Sequence, residues 1–384
     1  MVIVGAGLVG ASLARALRGM SVALVANQGR DPEIGDPRAP LDTRIYAIGP
    51  GNVAFLSELK VWQALPENRR APVHAMRVFG DVAGAALGFD AYRAGVAELA
   101  WIVEDSALQD ALWRSLQTRD DVRIFAPAVC EAIEWRADRA LVRLRDGREL
   151  RARLVVGADG ARSLVRAQAG ITARERPYGQ TAVVANFACE RAHRHIAYQW
   201  FQGGPVLALL PLPGDRVSMV WSNWDERAQR LLALEPQALC REVEAAAQGE
   251  LGKLSLLTPA HGFPLRRIDS AAVVAPRLAL IGDAAHVVHP LAGQGANLGF
   301  QDARALAATL AAREPGRDPG DLRVLRRYAR ARAEPVLAMA ATVDGLFWLF
   351  EAKLPGVARL RNAGLKIVDR IPVVKNLLVR QAMS

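Results

Sequence analysis

The sequence predicts an α/β fold in which a parallel sheet is joined to an antiparallel one, and three stretches carry that prediction. The chain opens with the apolar run Met1-Val2-Ile3-Val4, then Gly5-Ala6-Gly7-Leu8-Val9-Gly10, then the apolar helical segment Ala11 to Leu17. A second apolar run, Leu154-Val155-Val156, leads into Gly157-Ala158-Asp159-Gly160-Ala161-Arg162-Ser163. A third, Leu278 to Ile281, ends at Gly282-Asp283, and Gly293-Gln294-Gly295 then opens a helical stretch. Each run is a short strand that stops at a glycine-containing turn.

In the first turn each glycine of G-x-G-x-x-G has a separate use. Gly5 makes the tight turn, Gly7 lets backbone approach a pyrophosphate, and Gly10 lets the helix pack on the strand. The strand–turn–helix context turns a weak motif into a dinucleotide site. In the third stretch, the N–H groups of the helix start at Gly293, Gln294, Gly295, Ala296 and Asn297 suit an anion. Asp283, at the carboxyl end of its strand, suits the hydroxyls of a sugar-like polyol. The Asp159-Gly160 pair alone marks only a turn. One position departs from the pattern. The second strand, Ser21 to Val25, normally ends in an acid for the adenosine ribose, and here Ala26-Asn27 follows.

Composition narrows the class. A chain of 384 residues suggests two interlocked domains. Its 51% hydrophobic and 23% charged residues fit a globular enzyme. No apolar run reaches the roughly 18 residues of a spanning helix. The apolar start lacks a basic leader, and its glycines have a structural use, so it reads as a strand and not as a signal peptide. Cys130, Cys189 and Cys240 are odd in number and scattered, which points to a reducing, cytoplasmic setting without disulfides or zinc. The net charge of +10 is spread along the chain, against nucleic-acid binding; it reads as a basic solvated surface, or as attraction to anionic lipid headgroups. His286 and His289 are spaced for one helix face, but Pro290 breaks that helix and no further ligand is suitably spaced, so no metal is expected. His289 is expected to shape the loop before Pro290.

Pattern places the other elements. Ala140 to Leu154 alternates around Asp146-Gly147, and Leu207 to Trp221 flanks Pro213-Gly214-Asp215; both read as hairpins. Gln229 to Gln248 reads as a helix, and Ala311 to Gly320 as a surface loop. Near the end, Phe347-Trp348-Leu349-Phe350 forms a dense apolar cluster, and Leu360, Gly364, Ile367, Val368 and Ile371 recur at helical spacing. That region reads as a helix packed on the body, or as a surface for a membrane or a partner protein.

Taken together, G-x-G-x-x-G at the start, G-A-D-G-x-R-S in the middle and G-D-A-A-H late resemble the FAD-dependent aromatic hydroxylases, the single-component flavoprotein monooxygenases. His289 to Gly295, with Asn297, Gly299 and Asp302, is similar to the ubiquinone-biosynthesis branch, as are Asp42-Thr43-Arg44, Tyr178 to Ala182, Gly204 to Leu212, and the tail from Leu360-Arg361-Asn362 to Arg380-Gln381-Ala382-Met383. The resemblance implies a Rossmann-like FAD-binding domain made of residues 1–69, 97–171 and 269–341. It is interleaved with an antiparallel-sheet substrate domain of residues 70–96 and 172–268, and a C-terminal helical region, 342–384, follows.

It implies that NAD(P)H reduces FAD, that O2 is captured as a flavin C4a-hydroperoxide, and that a prenylated phenol takes the distal oxygen. The cofactor performs the hard step, so no catalytic acid or base is assigned. Arg44 and Gln109 would contact the FAD phosphate or ribityl region, and Asp159 would lie near the flavin and the NAD(P)H approach. Pro205, Val206, Leu207, Leu209, Pro211 and Trp221 are the candidate walls of the substrate pocket. The expected partners are a hydrophobic phenol, O2, and a membrane surface or biosynthetic complex met through the C-terminal region, with the protein peripheral to the inner membrane. The rival readings are a hydroxylase of a small unprenylated aromatic and a non-catalytic flavoprotein-like scaffold.

Overall fold

The computed structural model describes residues 1–30, 41–80, 86–289 and 295–351, with side chains as far as residue 345. A six-stranded sheet runs in the order Val274–Ala275, Leu278–Leu280, Val155–Gly157, Val2–Val4, Val22–Val25, Val122–Phe125. All neighbours are parallel except the first pair. The central strands are apolar and covered on both faces, as parallel strands must be. Helices Leu8–Ala16, Asp105–Gln117 and Gly295–Ala311 pack one face; a small antiparallel sheet holding Cys130, Ile133 and Val142 packs the other.

The register aligns Val4 with Gly157, and Gly157 with Leu280. The three glycine turns therefore leave the carboxyl ends of three adjacent strands, where open parallel sheets bind ligands. Stretches about 120 and 150 residues apart in sequence become neighbours only through this strand order.

The second large sheet is almost wholly antiparallel. Its order is His286–Val287, His261–Ser270, Ala173–Cys189, Arg216–Trp224, Val206–Leu212, Ile196–Phe201, Ala75–Phe79, Ala86–Asp90, with Leu254–Leu256 beside Ala173–Cys189. A three-stranded sheet of Ile45–Ile48, Ala100–Glu104 and Arg70–Val73 stands between the two large ones, its Ile102 and Val73 packed on Ala197 and Leu212.

Both expected hairpins form: Ala140 pairs with Ala152 across Gly147, and Leu207 pairs with Trp221 across Gly214. The single helix expected over Gln229–Gln248 is instead two, Asp225–Leu232 and Pro236–Ala246. Pro236 has no N–H to continue the first and takes the opening turn of the second. The helix Leu322–Glu351 runs unbroken through the expected boundary at 342, with Pro335 inside it. The side chains of Phe347 to Phe350, and the stretch from Leu360 to Met383, lie outside the described residues.

Candidate active site

The first turn is shaped by contacts that only glycine allows. Gly5 has φ of +103°, and a Cβ there would stand 2.2 Å from the Ala158 carbonyl oxygen. A Cβ on Gly10 would stand 1.9 Å from the Gly5 carbonyl oxygen. Gly7 differs: a Cβ there would meet no protein atom within 4 Å, yet Gly7 lines the cavity, so its bare backbone faces open space. Gly299 does for the later helix what Gly10 does for the first, since a Cβ would lie 2.4 Å from Val9 Cγ2. The turns of the first and third motifs are thus packed against one another.

The cavity they open into has a volume of about 650 Å³. At one end it is bordered by Gly7, Arg44, Gln109, Ala158, Gly160, Asp283, Gly295 and Ala296. Asp283 is exposed, and it borders this cavity. Burial lifts its carboxyl above the usual range, while Arg44 and His286 pull it back. Arg44 is placed by Asp42, whose carboxylate accepts from the Arg44 N–H at 2.8 Å and the Ser106 N–H at 3.0 Å. Its guanidinium lies 5.7 Å from the Tyr46 ring centre, and although burial opposes its charge, Tyr46, Asp105 and Asp283 reinforce it. Gln109 donates to the Ala6 carbonyl, which also accepts from Trp113 Nε1 at 3.2 Å, so the first turn is held from the helix behind it.

Two expected cofactor residues have side chains engaged within the protein. Asp159 points its carboxylate back into its own turn, accepting from Ser163 Oγ at 2.6 Å and the Val165 N–H at 3.1 Å, beside Ser163, which caps the helix Leu164–Gln168. Asn297 is buried, accepts from the Gly49 N–H at 3.0 Å and Asn52 Nδ2 at 2.8 Å, and donates to the Ala47 carbonyl at 2.8 Å. Its side chain thus ties the helix to the strand Ile45–Ile48 and to the start of the helix Pro50–Glu58. Gly293 and Gln294 lie outside the described residues. Ala26 belongs to the buried core, so an acid placed there would have to be buried, and Asn27 beside it is exposed.

The other end of the cavity is the floor of the antiparallel sheet. Here the pocket expectation needs correction. Of the six candidate walls, Val206 lines the cavity. Leu207, Leu209 and Trp221 are fully buried on the opposite face, in the core with Leu231, Leu239 and Val243 of the two helices. Pro205 and Pro211 are also absent from the lining. Successive side chains of a strand alternate between faces, so choosing a run of residues necessarily chooses both sides. The floor is Val206, Ala208 and Leu210 with Val220 and Ser222, extended by Ala182 and Val184. Register confirms the rows: Val184 lies beside Val220, and Val220 beside Ala208. Phe263, counted among the exposed apolar side chains, is exposed to this cavity. Strict alternation from Val206 would have found these residues. Met76, Tyr198, Gln199 and Arg266 also line the space, and nothing local in the sequence signals them.

The two histidines of the late motif go different ways. His286 Nε2 lies 2.8 Å from Asp302. His289 stacks edge-on against Tyr178, with ring centres 4.7 Å apart, and faces Gln180 at 3.4 Å. Burial drives its pKa down to about 4. Among the described residues no cluster of His, Cys, Asp or Glu is suited to a metal.

The donor set fits FAD: a bare glycine cradle for a pyrophosphate, an open carboxylate for hydroxyls, and a helix start beside both. Comparison with known proteins agrees. The FAD binding domain family matches residues 1–342. The chain is 37% identical to a protein of Rhodospirillum rubrum named ubiquinone hydroxylase UbiL, across 100% of this chain and 89% of that one. It is 34% identical to 3-demethoxyubiquinol 3-hydroxylase of Escherichia coli, across 100% and 97%. Among solved structures, PqsL of Pseudomonas aeruginosa, described as a probable FAD-dependent monooxygenase, superposes with a TM-score of 0.78 at 25% identity, over 95% of this chain and 98% of that one. Para-nitrophenol 4-monooxygenase of Pseudomonas putida superposes at 0.81 with 18% identity, over 100% and 98%, a likeness of fold. The chain is a member of the FAD-dependent aromatic hydroxylases. Within them it belongs to the branch of the ubiquinone-biosynthesis hydroxylases, and its cofactor is FAD.

Proposed function

We propose that this protein hydroxylates the ring of a prenylated phenol in ubiquinone biosynthesis, using O2 and NAD(P)H. The observation that carries the reading is the two-ended cavity, a polar cradle for FAD continuous with an apolar floor of Ala182, Val184, Val206, Ala208, Leu210 and Val220. Bound FAD supplies the oxygen-activating chemistry. The chain's own part is to hold and to exclude. Gly7 and the start of helix Gly295–Ala311 offer N–H groups to anionic edges. Asp283 would accept from hydroxyls of the ribityl chain, and Arg44 and Gln109, which line the same end of the cavity, would help to hold the cofactor. The floor keeps water away from the reacting ring and takes an apolar substituent, at about 0.8 kcal/mol per buried CH2. Among the described residues no helix is long and apolar enough to cross a membrane. The net charge of +10 supports a peripheral contact with an anionic surface, where a tailed substrate would be met.

The test is turnover of tailed and untailed phenols with NAD(P)H under isotopically labelled O2. One labelled oxygen in the ring of the tailed product is expected. Oxygen drawn from water ends the monooxygenase reading. Hydroxylation confined to untailed phenols keeps the chemistry and removes the pathway assignment.

A further inference from the structure

Behind the Gly282–Asp283 turn lies a charge cluster that forms no part of the cavity wall. Asp302 is 0% exposed, on the helix Gly295–Ala311. It accepts from three sides: the Gly282 N–H at 2.9 Å, His286 Nε2 at 2.8 Å and Arg332 Nε at 2.6 Å. His286 and Arg332 are only 8% and 7% exposed. Arg332 comes from the long helix Leu322–Glu351 and also reaches the Leu298 carbonyl at 3.4 Å. A buried carboxylate needs partners, and Arg332 alone would neutralise it. A protonated His286 is then a surplus positive charge, directly under the turn that carries Asp283.

We propose that His286 is a positioning residue for FAD: held by Asp302 as an imidazolium, it sets a positive charge beneath the Gly282–Asp283 turn, which keeps Asp283 an ionised acceptor and tightens the grip on a polyanionic cofactor. The inference rests on the FAD site and needs no phenol. The groups around the ring come from every packed element. They are Asp283 on its own turn, Asp302 on one helix, Arg332 on another with Tyr328 beyond it, and Asp269 as the cross-strand neighbour. Asp269 is itself engaged by Arg267 at 2.7 Å. Arg166 donates to the neighbouring Ala284 carbonyl at 2.9 Å. Burial works against the imidazolium, Asp302 more than offsets it, and the net direction is upward from the ordinary 6.5. The charge is therefore present on the acid side and lost as pH climbs through the raised value.

The experiment titrates apo protein with FAD, following flavin fluorescence over a pH series from neutral into the alkaline range. Wild type should lose about tenfold in affinity across the step, the factor of one unit of pKa coupling. His286→Gln keeps a donor for Asp302 without the charge. It should bind about tenfold more weakly at neutral pH, again one unit of coupling, and show no step. Arg332→Gln should bind more weakly at every pH but keep the step, because His286 remains. Circular dichroism and melting temperature accompany each variant. A wild-type affinity that is flat with pH overturns the proposal without recourse to any variant, and so does a step that survives in a folded His286→Gln.

Discussion

At the cofactor end of the cavity the working groups are backbone atoms and charges; at the floor they are small apolar side chains on alternate positions of neighbouring strands. At the first end Gly5 and Gly10 are required by contacts of 2.2 and 1.9 Å to carbonyl oxygens, where no other residue fits. Ala182, Ala208 and Val220 at the second end are required only to be apolar and of about the right size. A demand for one residue type leaves a motif in the sequence. A demand for a property leaves a pattern whose phase decides its meaning. This is why Gly5, Gly7, Gly10 and Asp283 could be picked out singly, while Leu207, Leu209 and Trp221 of the proposed wall fell on the other face of their sheet.

The contrast can be broken at four points. The largest effect is expected from Gly10→Val, which drives a side chain into the Gly5 carbonyl. Such a clash costs more than about 4 kcal/mol, and the purified protein should carry no flavin by absorbance. A Gly10→Val protein with full flavin would show that the helix and the turn before it can part without cost.

Next comes Leu209→Ala. Leu209 is fully buried on the helix side of the sheet, so the change should lower stability by about 3 kcal/mol in chemical denaturation while leaving the KM for the phenol unchanged. A shift in KM with little loss of stability would return Leu209 to the pocket.

Asp283→Ala should follow. Loss of a charged acceptor is worth about 2 kcal/mol, read as a rise in the dissociation constant for FAD with the circular dichroism spectrum unchanged. The smallest effect is Ala208→Phe on the floor. It should reduce kcat/KM for a tailed phenol by about tenfold, or about 1.4 kcal/mol, with flavin content intact. Equal losses of flavin in Ala208→Phe and Asp283→Ala would mean that the two ends are not separate.

What the sequence determined by itself was the set of local demands. Gly5, Gly7, Gly10 and Asp283 announce a strand–turn ligand site because steric and hydrogen-bonding needs act over a few residues. The two hairpins were legible for the same reason, through Gly147 and Gly214. Tertiary structure decided which distant demands meet. Strand order placed Gly157 between Val4 and Leu280 and so gathered three turns at one edge. Packing gave Asn297 to Ala47 and Asn52. It also brought Arg332, 30 residues from Asp302 in the chain, to its buried carboxylate. Side-chain partners of that kind depend on how helices and sheets pack, and packing is a property of the whole chain rather than of any segment.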